Sequence, residues 1–429
     1  MGYYIPWIPL CQVRIIPARG AAPELVQYPA LRYSYFVDRL FLAGCLIGLS
    51  LLGCVRNTGG AGRPAGDEAV TADPSAAVRE RAVRTAAAMD DRILAAQVLM
   101  TGIEGNGVLS RPMRELLTAV PAGAVMLFAY NLETGEEGIR SLLAECSALI
   151  AGGISPQGVV PFIAVDHEGG SVNRFGTGIG RLPPAASYWD MAQKEGTRRA
   201  LGAITEGAYR AGRELRDLGI TLNLAPVAEV LDGQNRLFLG DRSYGPDADF
   251  TSAAVIRFME GMERAGVSCV LKHFPGNTGT DPHGGVPVLP GGRAVLDLMI
   301  RPFAEAIRNH SPSAVMVSHV IVPARDAGRN ASLSPLIIRE WLREELGFRG
   351  VILADDFSMG AVSALGIDSG EAAVAAINAG ADMVMTWPLN LAGSHGALLS
   401  AVEEGRLPRE RLREAVEHIL AEKIRSGLM

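Results

Sequence analysis

Eight short apolar runs recur along this chain, and a longer helical or loop segment separates each run from the next. Apolar runs that alternate in this way with helical patterns are typical of a parallel sheet covered by helices. The eight runs are residues 98–103, 123–128, 159–165, 220–226, 267–272, 314–320, 350–355 and 382–386. Because eight is the number of strands that closes an α/β barrel, the sequence predicts the α/β class and a TIM (β/α)8 barrel.

Several stretches between the runs carry apolar residues at three- and four-residue spacing, with charged residues on the opposite face, and this pattern predicts helices. The predicted helices are residues 249–265, 292–309, 335–346, 393–404 and 408–427. Too little chain follows the seventh run to form a second large domain. We therefore predict a single barrel domain over residues 85–429.

The chain before the barrel contains an unbroken apolar run, residues 40–53, that ends at Cys54. The run is too short for a comfortable membrane span but suits the core of a signal peptide. Its Leu-Leu-Gly-Cys ending resembles a bacterial lipobox, in which the cysteine is lipidated after cleavage; Cys45 fits the same pattern with almost no apolar core before it. We predict a signal or lipoprotein-type export segment over 1–54 and a flexible linker over 55–84.

This export segment predicts an exported protein, either periplasmic or a membrane-anchored lipoprotein with its lipid anchor at Cys54. A plain membrane anchor and a cleaved secretory signal are the alternative interpretations. The residues before the apolar run would make a very long N-terminal region for a signal peptide. One hypothesis is therefore that translation starts near Val37.

Charge and cysteine content exclude several classes of partner. The net charge is -6 and no run of basic residues occurs, so no nucleic-acid partner is predicted. The five cysteines form no CxxC motif and no Cys/His cluster, so we predict neither a structural zinc ion nor a disulfide framework. Cys146 and Cys269 lie in helix and strand patterns and are predicted to be buried.

Polar residues follow five of the apolar runs at the point where each strand should end. Asp166 to Gly170 follow the third run, Gly240 to Arg242 lie on the long loop after the fourth, Lys272 and His273 stand at the end of the fifth, His319 closes the sixth, and Asp355 closes the seventh. Active sites of α/β barrels lie at the C-terminal ends of their strands. The sequence therefore predicts a polar pocket at this end of the barrel.

Nine segments of the chain together resemble glycoside hydrolase family 3, in its single-domain NagZ-like β-N-acetylglucosaminidase branch. In chain order they are VDHEGGSVNRF (165–175), RLPPAAS (181–187), LGITLNLAPVAEV (218–230), GDRSYG (240–245), KHFPG (272–276), TDPH (280–283), SHVIVPARD (318–326), ASLSP (331–335) and GVILADDFSMGAV (350–362). The resemblance covers essentially the whole barrel, and it implies a TIM-barrel catalytic domain that needs no metal or organic cofactor.

The resemblance also implies the catalytic residues of a retaining glycosidase. Asp355 matches the nucleophile, a carboxylate that attacks the anomeric carbon and forms a covalent intermediate. Asp281 and His283 match a paired general acid/base on the loop after the fifth strand, in which the aspartate orients the histidine. Asp356 is interpreted as a structural carboxylate beside the nucleophile.

Five further residues match positions that hold the sugar hydroxyls in the family: Asp166, Arg174, Arg242, Lys272 and His273. A carboxylate and fixed cationic donors suit this role because hydroxyls both donate and accept hydrogen bonds. Glu168 is expected to orient its loop rather than to contact the substrate. For His319 two interpretations stay open, a place on the pocket floor and packing in the core.

The chain departs from the family pattern at two places. Relatives usually carry a histidine directly after the KHFPG motif and a loop about two residues longer; here Asn277 follows the motif and the loop that leads to His283 is shorter. Glu229 stands where the family more often has aspartate, and we expect this change to affect packing only.

The expected function is retaining hydrolysis of terminal non-reducing β-linked N-acetylglucosamine, with peptidoglycan fragments as the natural carbohydrate substrate. External chitin oligosaccharides are an alternative substrate for an exported enzyme. Within enzymes, the alternatives are a β-glucosidase and a phosphorylase in which phosphate replaces water. The non-enzymatic alternative is a sugar-binding lipoprotein.

Overall fold

Each of the eight apolar runs coincides with one β-strand, although the fifth strand extends two residues past its run, to Phe274. The strands close into a parallel barrel, so the predicted fold class is confirmed. The computed structural model describes residues 74–154, 158–175, 178–281, 285–358 and 366–429. The barrel strands are β1 (Leu99–Gly102), β2 (Ala124–Leu127), β3 (Phe162–Val165), β4 (Leu222–Asn223), β5 (Ser268–Phe274), β6 (Ala314–Val317), β7 (Val351–Ala354) and β8 (Met383–Thr386). The export segment with Cys54, and also His283, lie outside the described residues.

The strands follow one another around the barrel in chain order, and β8 pairs with β1 to close it, with Leu99 opposite Val384. Side chains from several strands fill the interior, among them Met100, Phe162 and Val270, which are all at most 2% exposed. The barrel is therefore packed rather than hollow, and a ligand can enter only at its ends.

Helices surround the barrel. They are α1 (Pro74–Ala87), α2 (Asp91–Gln97), α3 (Arg111–Ala119), α4 (Gly135–Gly153), α5 (Ala185–Glu195), α6 (Thr197–Leu218), α7 (Arg236–Leu239), α8 (Ala248–Arg264), α9 (Arg293–Met299), α10 (Arg301–Asn309), the π-helix α11 (Leu336–Glu345), α12 (Ser369–Ala379), α13 (Pro388–Glu403) and α14 (Arg409–Arg425). A small antiparallel hairpin, Ile321–Val322 with Asp326–Asn330, follows β6. Among the helices that the structure describes, none is long and apolar enough to cross a membrane.

Two boundaries predicted from the sequence are wrong. The predicted linker over 55–84 overlaps α1, because the alanine-rich stretch from Pro74 forms a helix that buries Ala82 and Ala86 and packs against α14. The helix predicted over 292–309 is two helices, α9 and α10. Pro302, which has no N–H to continue the ladder of α9, occupies the first turn of α10.

Candidate active site

A cavity of about 300 Å³ lies at the C-terminal ends of the barrel strands. Six of the predicted site residues line it together: Asp166, Arg174, Arg242, Lys272, His273 and Asp355. Asp166 follows β3 and Asp355 follows β7, and these two strands lie opposite each other across the barrel. The cavity is therefore flanked by a charged cluster on one side and the proposed nucleophile on the other.

The charged cluster alternates carboxylates and cations. Asp166 accepts hydrogen bonds from Lys272 Nζ and from Arg174 Nη2, the latter at 2.7 Å. Lys272 Nζ also lies 2.6 Å from Glu168 Oε1. Arg242 binds the two oxygens of Glu168 with its Nε and Nη2, at 2.8 and 2.9 Å. Because each carboxylate is held by two cations, the side chains are fixed before any sugar arrives.

The cluster stays ionised across the neutral pH range. Burial alone would raise the pKa of Asp166, but Lys272 and Arg174 outweigh it and hold the pKa at about 2. Burial would also raise the pKa of Glu168, and Lys272 and Arg242 turn the net shift downward. For Lys272, burial favours the neutral amine, yet the two carboxylates raise its pKa. Ionised acceptors and donors of this kind suit sugar hydroxyls.

A tight turn after β3 brings Arg174 back over Asp166. Gly169 and Gly170 have φ angles of 93° and 54°, in the left-handed region that favours glycine. A Cβ on Gly170 would also lie 2.8 Å from Asp241 Oδ2. The two glycines therefore explain why this loop can fold back so closely. Glu168 supports the loop as expected, through its bonds with Arg242 and Lys272.

The two aspartates after β7 have different surroundings. Asp356 Oδ2 accepts hydrogen bonds from Trp387 Nε1 at 2.7 Å and from Ser358 Oγ at 2.8 Å. Within the described residues, the Asp355 carboxylate accepts a single hydrogen bond, from the backbone N–H of Asp356 at 2.9 Å. Asp356 is thus tied to its neighbours, whereas Asp355 faces the cavity with most of its hydrogen-bonding capacity available to a ligand.

His319 packs in the core and does not form the pocket floor. It is 1% exposed, its Nδ1 lies 2.7 Å from Ser332 Oγ, and its Nε2 lies 2.9 Å from the carbonyl oxygen of Asp356. Of the two interpretations left open by the sequence, the structure supports packing. The ring nevertheless contacts the backbone directly after Asp355.

The expectation that Glu229 affects packing only is wrong. Its carboxylate is 1% exposed and accepts hydrogen bonds from His273 Nδ1 at 2.7 Å, from the Asn277 backbone N–H at 2.6 Å and from Asn277 Nδ2 at 3.0 Å. A buried carboxylate requires such donors. Glu229 therefore holds two residues that line the cavity.

Sequence reasoning also missed an aromatic wall. The rings of Phe128 and Trp387, at the ends of β2 and β8, stack with centroids 4.7 Å apart. Gly102 lies between them at the end of β1, and a Cβ there would be only 3.3 Å from the Phe128 ring. A tryptophan directly after a strand was the available signal. The wall gives the cavity an apolar side.

The predicted acid/base pair is described only in part. Asp281 is exposed, and its carbonyl oxygen accepts a hydrogen bond from the N–H of Gly285 at 3.1 Å. His283 lies outside the described residues. The pair therefore remains a prediction from the sequence motif.

The family model for the N-terminal domain of glycosyl hydrolase family 3 matches residues 92–421 of the chain. A beta-hexosaminidase of Methylococcus capsulatus is 35% identical over 304 residues, which are 69% of this chain and 84% of the relative. A beta-hexosaminidase of Thioalkalivibrio sulfidiphilus is 35% identical over 289 residues, 67% of this chain and 79% of the relative.

A solved structure is also similar: a glycoside hydrolase family 3 β-N-acetylglucosaminidase from a Paenibacillus species, with a TM-score of 0.74 and 33% identity. The match covers 80% of this chain and 63% of that longer one. The family match, the two relatives and the barrel with its charged cavity agree. The chain belongs to glycosyl hydrolase family 3 and is a glycoside hydrolase of the β-N-acetylhexosaminidase type.

Proposed function

We propose that the protein removes terminal non-reducing β-linked N-acetylglucosamine with retention of configuration, through a covalent intermediate on Asp355. The observation that carries the proposal is the position of Asp355 in the cavity, where its carboxylate accepts one hydrogen bond within the described residues. A carboxylate with few donors is a stronger nucleophile than one that several donors neutralise. The fixed Asp166 and Lys272 cluster across the barrel supports binding of the distal hydroxyls.

In the first step, an Asp355 oxygen bonds to the anomeric carbon while the glycosidic C–O bond breaks, and the leaving oxygen takes a proton from His283. In the second step, a water molecule gives a proton to His283, bonds to the anomeric carbon and releases Asp355. Asp281 orients the imidazole and favours its charged form. The assignment of this pair rests on the TDPH motif.

As natural substrates we propose peptidoglycan fragments that carry N-acetylglucosamine at their non-reducing end. The export-type segment supports action outside the cytoplasm, in the periplasm or on a membrane through lipidated Cys54. Chitin oligosaccharides would present the same terminal sugar, so both substrates belong in the assay. Mass spectrometry of the native protein would detect a lipidated N-terminal cysteine, and an unmodified N-terminus would contradict the anchor.

The test of the nucleophile compares the wild type with Asp355→Ala on β-GlcNAc and β-glucose nitrophenyl glycosides. We expect a strong preference for β-GlcNAc and a loss on the order of 1,000-fold or more in the variant. Sodium azide should restore turnover by entering the space left by the carboxylate, which gives the α-glycosyl azide. Asp297→Asn, which removes a surface carboxylate from α9, is the control and should keep full activity.

Three results would contradict the proposal: unchanged activity in Asp355→Ala, azide products of the β configuration, or equal cleavage of the two glycosides by the wild type. Formation of GlcNAc-1-phosphate in phosphate buffer would show a phosphorylase instead. Product analysis in phosphate buffer thus also tests the phosphorylase alternative.

A further inference from the structure

Two buried side chains from neighbouring loops at the C-terminal ends of the strands contact each other. Glu229 follows β4, Asn277 follows β5, and the structure joins them by two hydrogen bonds, at 2.6 and 3.0 Å. Both side chains are buried, at 1% and 2% exposure. A shorter carboxylate at position 229 and a longer side chain at position 277 would span the same gap, so the two residues form a pair matched in size.

The third partner of Glu229 is His273, whose Nδ1 lies 2.7 Å from Glu229 Oε1. Because the carboxylate accepts, Nδ1 must carry the proton, and this fixes the tautomer and the orientation of the ring. His273 lines the cavity, so its other nitrogen, Nε2, is the atom available to a sugar hydroxyl. Without Glu229 the ring could rotate or take the other tautomer.

Asn277 is also the first residue of the loop that leads to Asp281 and His283. Gly276 before it has a φ of 141°, and its carbonyl oxygen accepts a hydrogen bond from Ser318 Oγ at 3.0 Å. The loop thus leaves β5 from a point held on one side by Ser318 and on the other by Glu229. One buried carboxylate contacts both the sugar-binding histidine and the start of the acid/base loop.

We propose that Glu229 is a positioning residue that orients His273 and anchors the acid/base loop through Asn277, and that Glu229 and Asn277 act as a matched pair. This inference rests on the proposed roles of His273 and of the loop. It predicts that the two positions tolerate a joint change better than either single change.

The test is a double-mutant cycle with E229D, N277H and the combination of both. In E229D the carboxylate withdraws by about 1.5 Å, and displacements of that size cost on the order of 100-fold in rate. In N277H a larger ring enters a buried position in the wall of the cavity. We expect each single variant to lose about 10- to 100-fold in kcat/KM, and the combination to recover to within about threefold of the wild type.

A second readout separates positioning from a purely structural role. E229Q replaces one acceptor oxygen by a donor, so it should raise KM on the nitrophenyl glycoside through His273. It should lower kcat further on a GlcNAc disaccharide, whose leaving group needs the proton from the loop. The control is E422Q, a buried carboxylate at the other end of the barrel, which should lower the unfolding temperature without a KM change.

Effects that simply multiply in the combined variant would overturn the proposal, as would an E229Q variant with wild-type kinetics. Unfolding of all three variants of the cycle would also overturn it, because the pair would then stabilise the fold rather than position His273 and the loop. An inactive wild type would contradict the proposed function instead, so the two failures are distinguishable.

Discussion

Lys423 is a single residue whose environment conflicts with its chemistry. It lies on α14 at the N-terminal end of the barrel and is fully buried. Its Nζ donates to Gln97 Oε1 at 2.9 Å and lies 5.6 Å from the centroid of the Phe162 ring. One amide oxygen and one ring replace little of the hydration of an ammonium group, and burial accordingly lowers the pKa of Lys423 to about 7.

This shift predicts how stability depends on pH. An unfolded lysine titrates near 10.4, so between about pH 7 and pH 10 the unfolded chain binds more protons at this residue than the folded chain does. The free energy of unfolding should therefore rise with pH in this window. In Lys423→Met the rise should be smaller by about 2–4 kcal/mol, measured by urea unfolding at pH 7 and pH 10. Parallel pH profiles for the two proteins would contradict the prediction.

Residues of the site differ in how far the sequence could place them. Asp166, Lys272 and Asp355 could be predicted because each stands at the end of an apolar run or directly after it, and strand ends meet at one face of a barrel. The bond between Glu229 and Asn277 could not, because it depends on how closely the loops after β4 and β5 approach. Lys423 looks ordinary in an amphipathic helix, and only the position of α14 buries it.

At the scale of elements, α1 shows how composition can mislead. Small residues after a Gly- and Pro-rich stretch suggested a linker, but alanine is also the best helix former, and here a neighbouring apolar surface is present. Ala86 is fully buried against that surface, and Ala87 is exposed. The sequence contained the helix propensity, whereas the surface that stabilises the helix is supplied by α14, more than 300 residues away along the chain.

Two adjacent substitutions test the role of α1. Ala86→Glu would force a carboxylate into the α1–α14 contact and should lower the unfolding free energy by about 2–4 kcal/mol. Ala87→Glu, the same change one residue later on the exposed side, should lie within about 0.5 kcal/mol of the wild type. Thermal unfolding monitored by circular dichroism gives both values. Equal effects of the two substitutions would mean that this segment does not pack on the barrel.

At the scale of the whole molecule, the barrel separates function from stability between its two ends. At the N-terminal ends of the strands, Asp382 is fully buried beside Arg343 and accepts hydrogen bonds from Arg411 Nη2 at 3.0 Å, His418 Nδ1 at 2.9 Å and the Ile352 N–H at 2.9 Å. Burial would raise its pKa, but Arg343 and His418 hold the pKa well below the usual range. This carboxylate ties β8 to α11 and α14, which complete the barrel.

The same substitution at opposite ends of the barrel should therefore have opposite effects. Asp382→Asn leaves two arginines without a buried counter-charge and should lower the unfolding free energy by about 3–5 kcal/mol, while KM stays unchanged at temperatures where the variant is folded. Asp355→Asn removes a buried charge that has one hydrogen-bond donor within the described residues. If Asp355 is the proposed nucleophile, the change should abolish turnover. It should leave the unfolding free energy equal to that of the wild type or higher by about 1 kcal/mol, because a buried charge with one donor costs stability. Urea unfolding and kinetics on the nitrophenyl glycoside measure both quantities for both variants. If Asp355→Asn were less stable than Asp382→Asn, the main role of the Asp355 carboxylate would be to stabilise the fold, and the prediction would be contradicted.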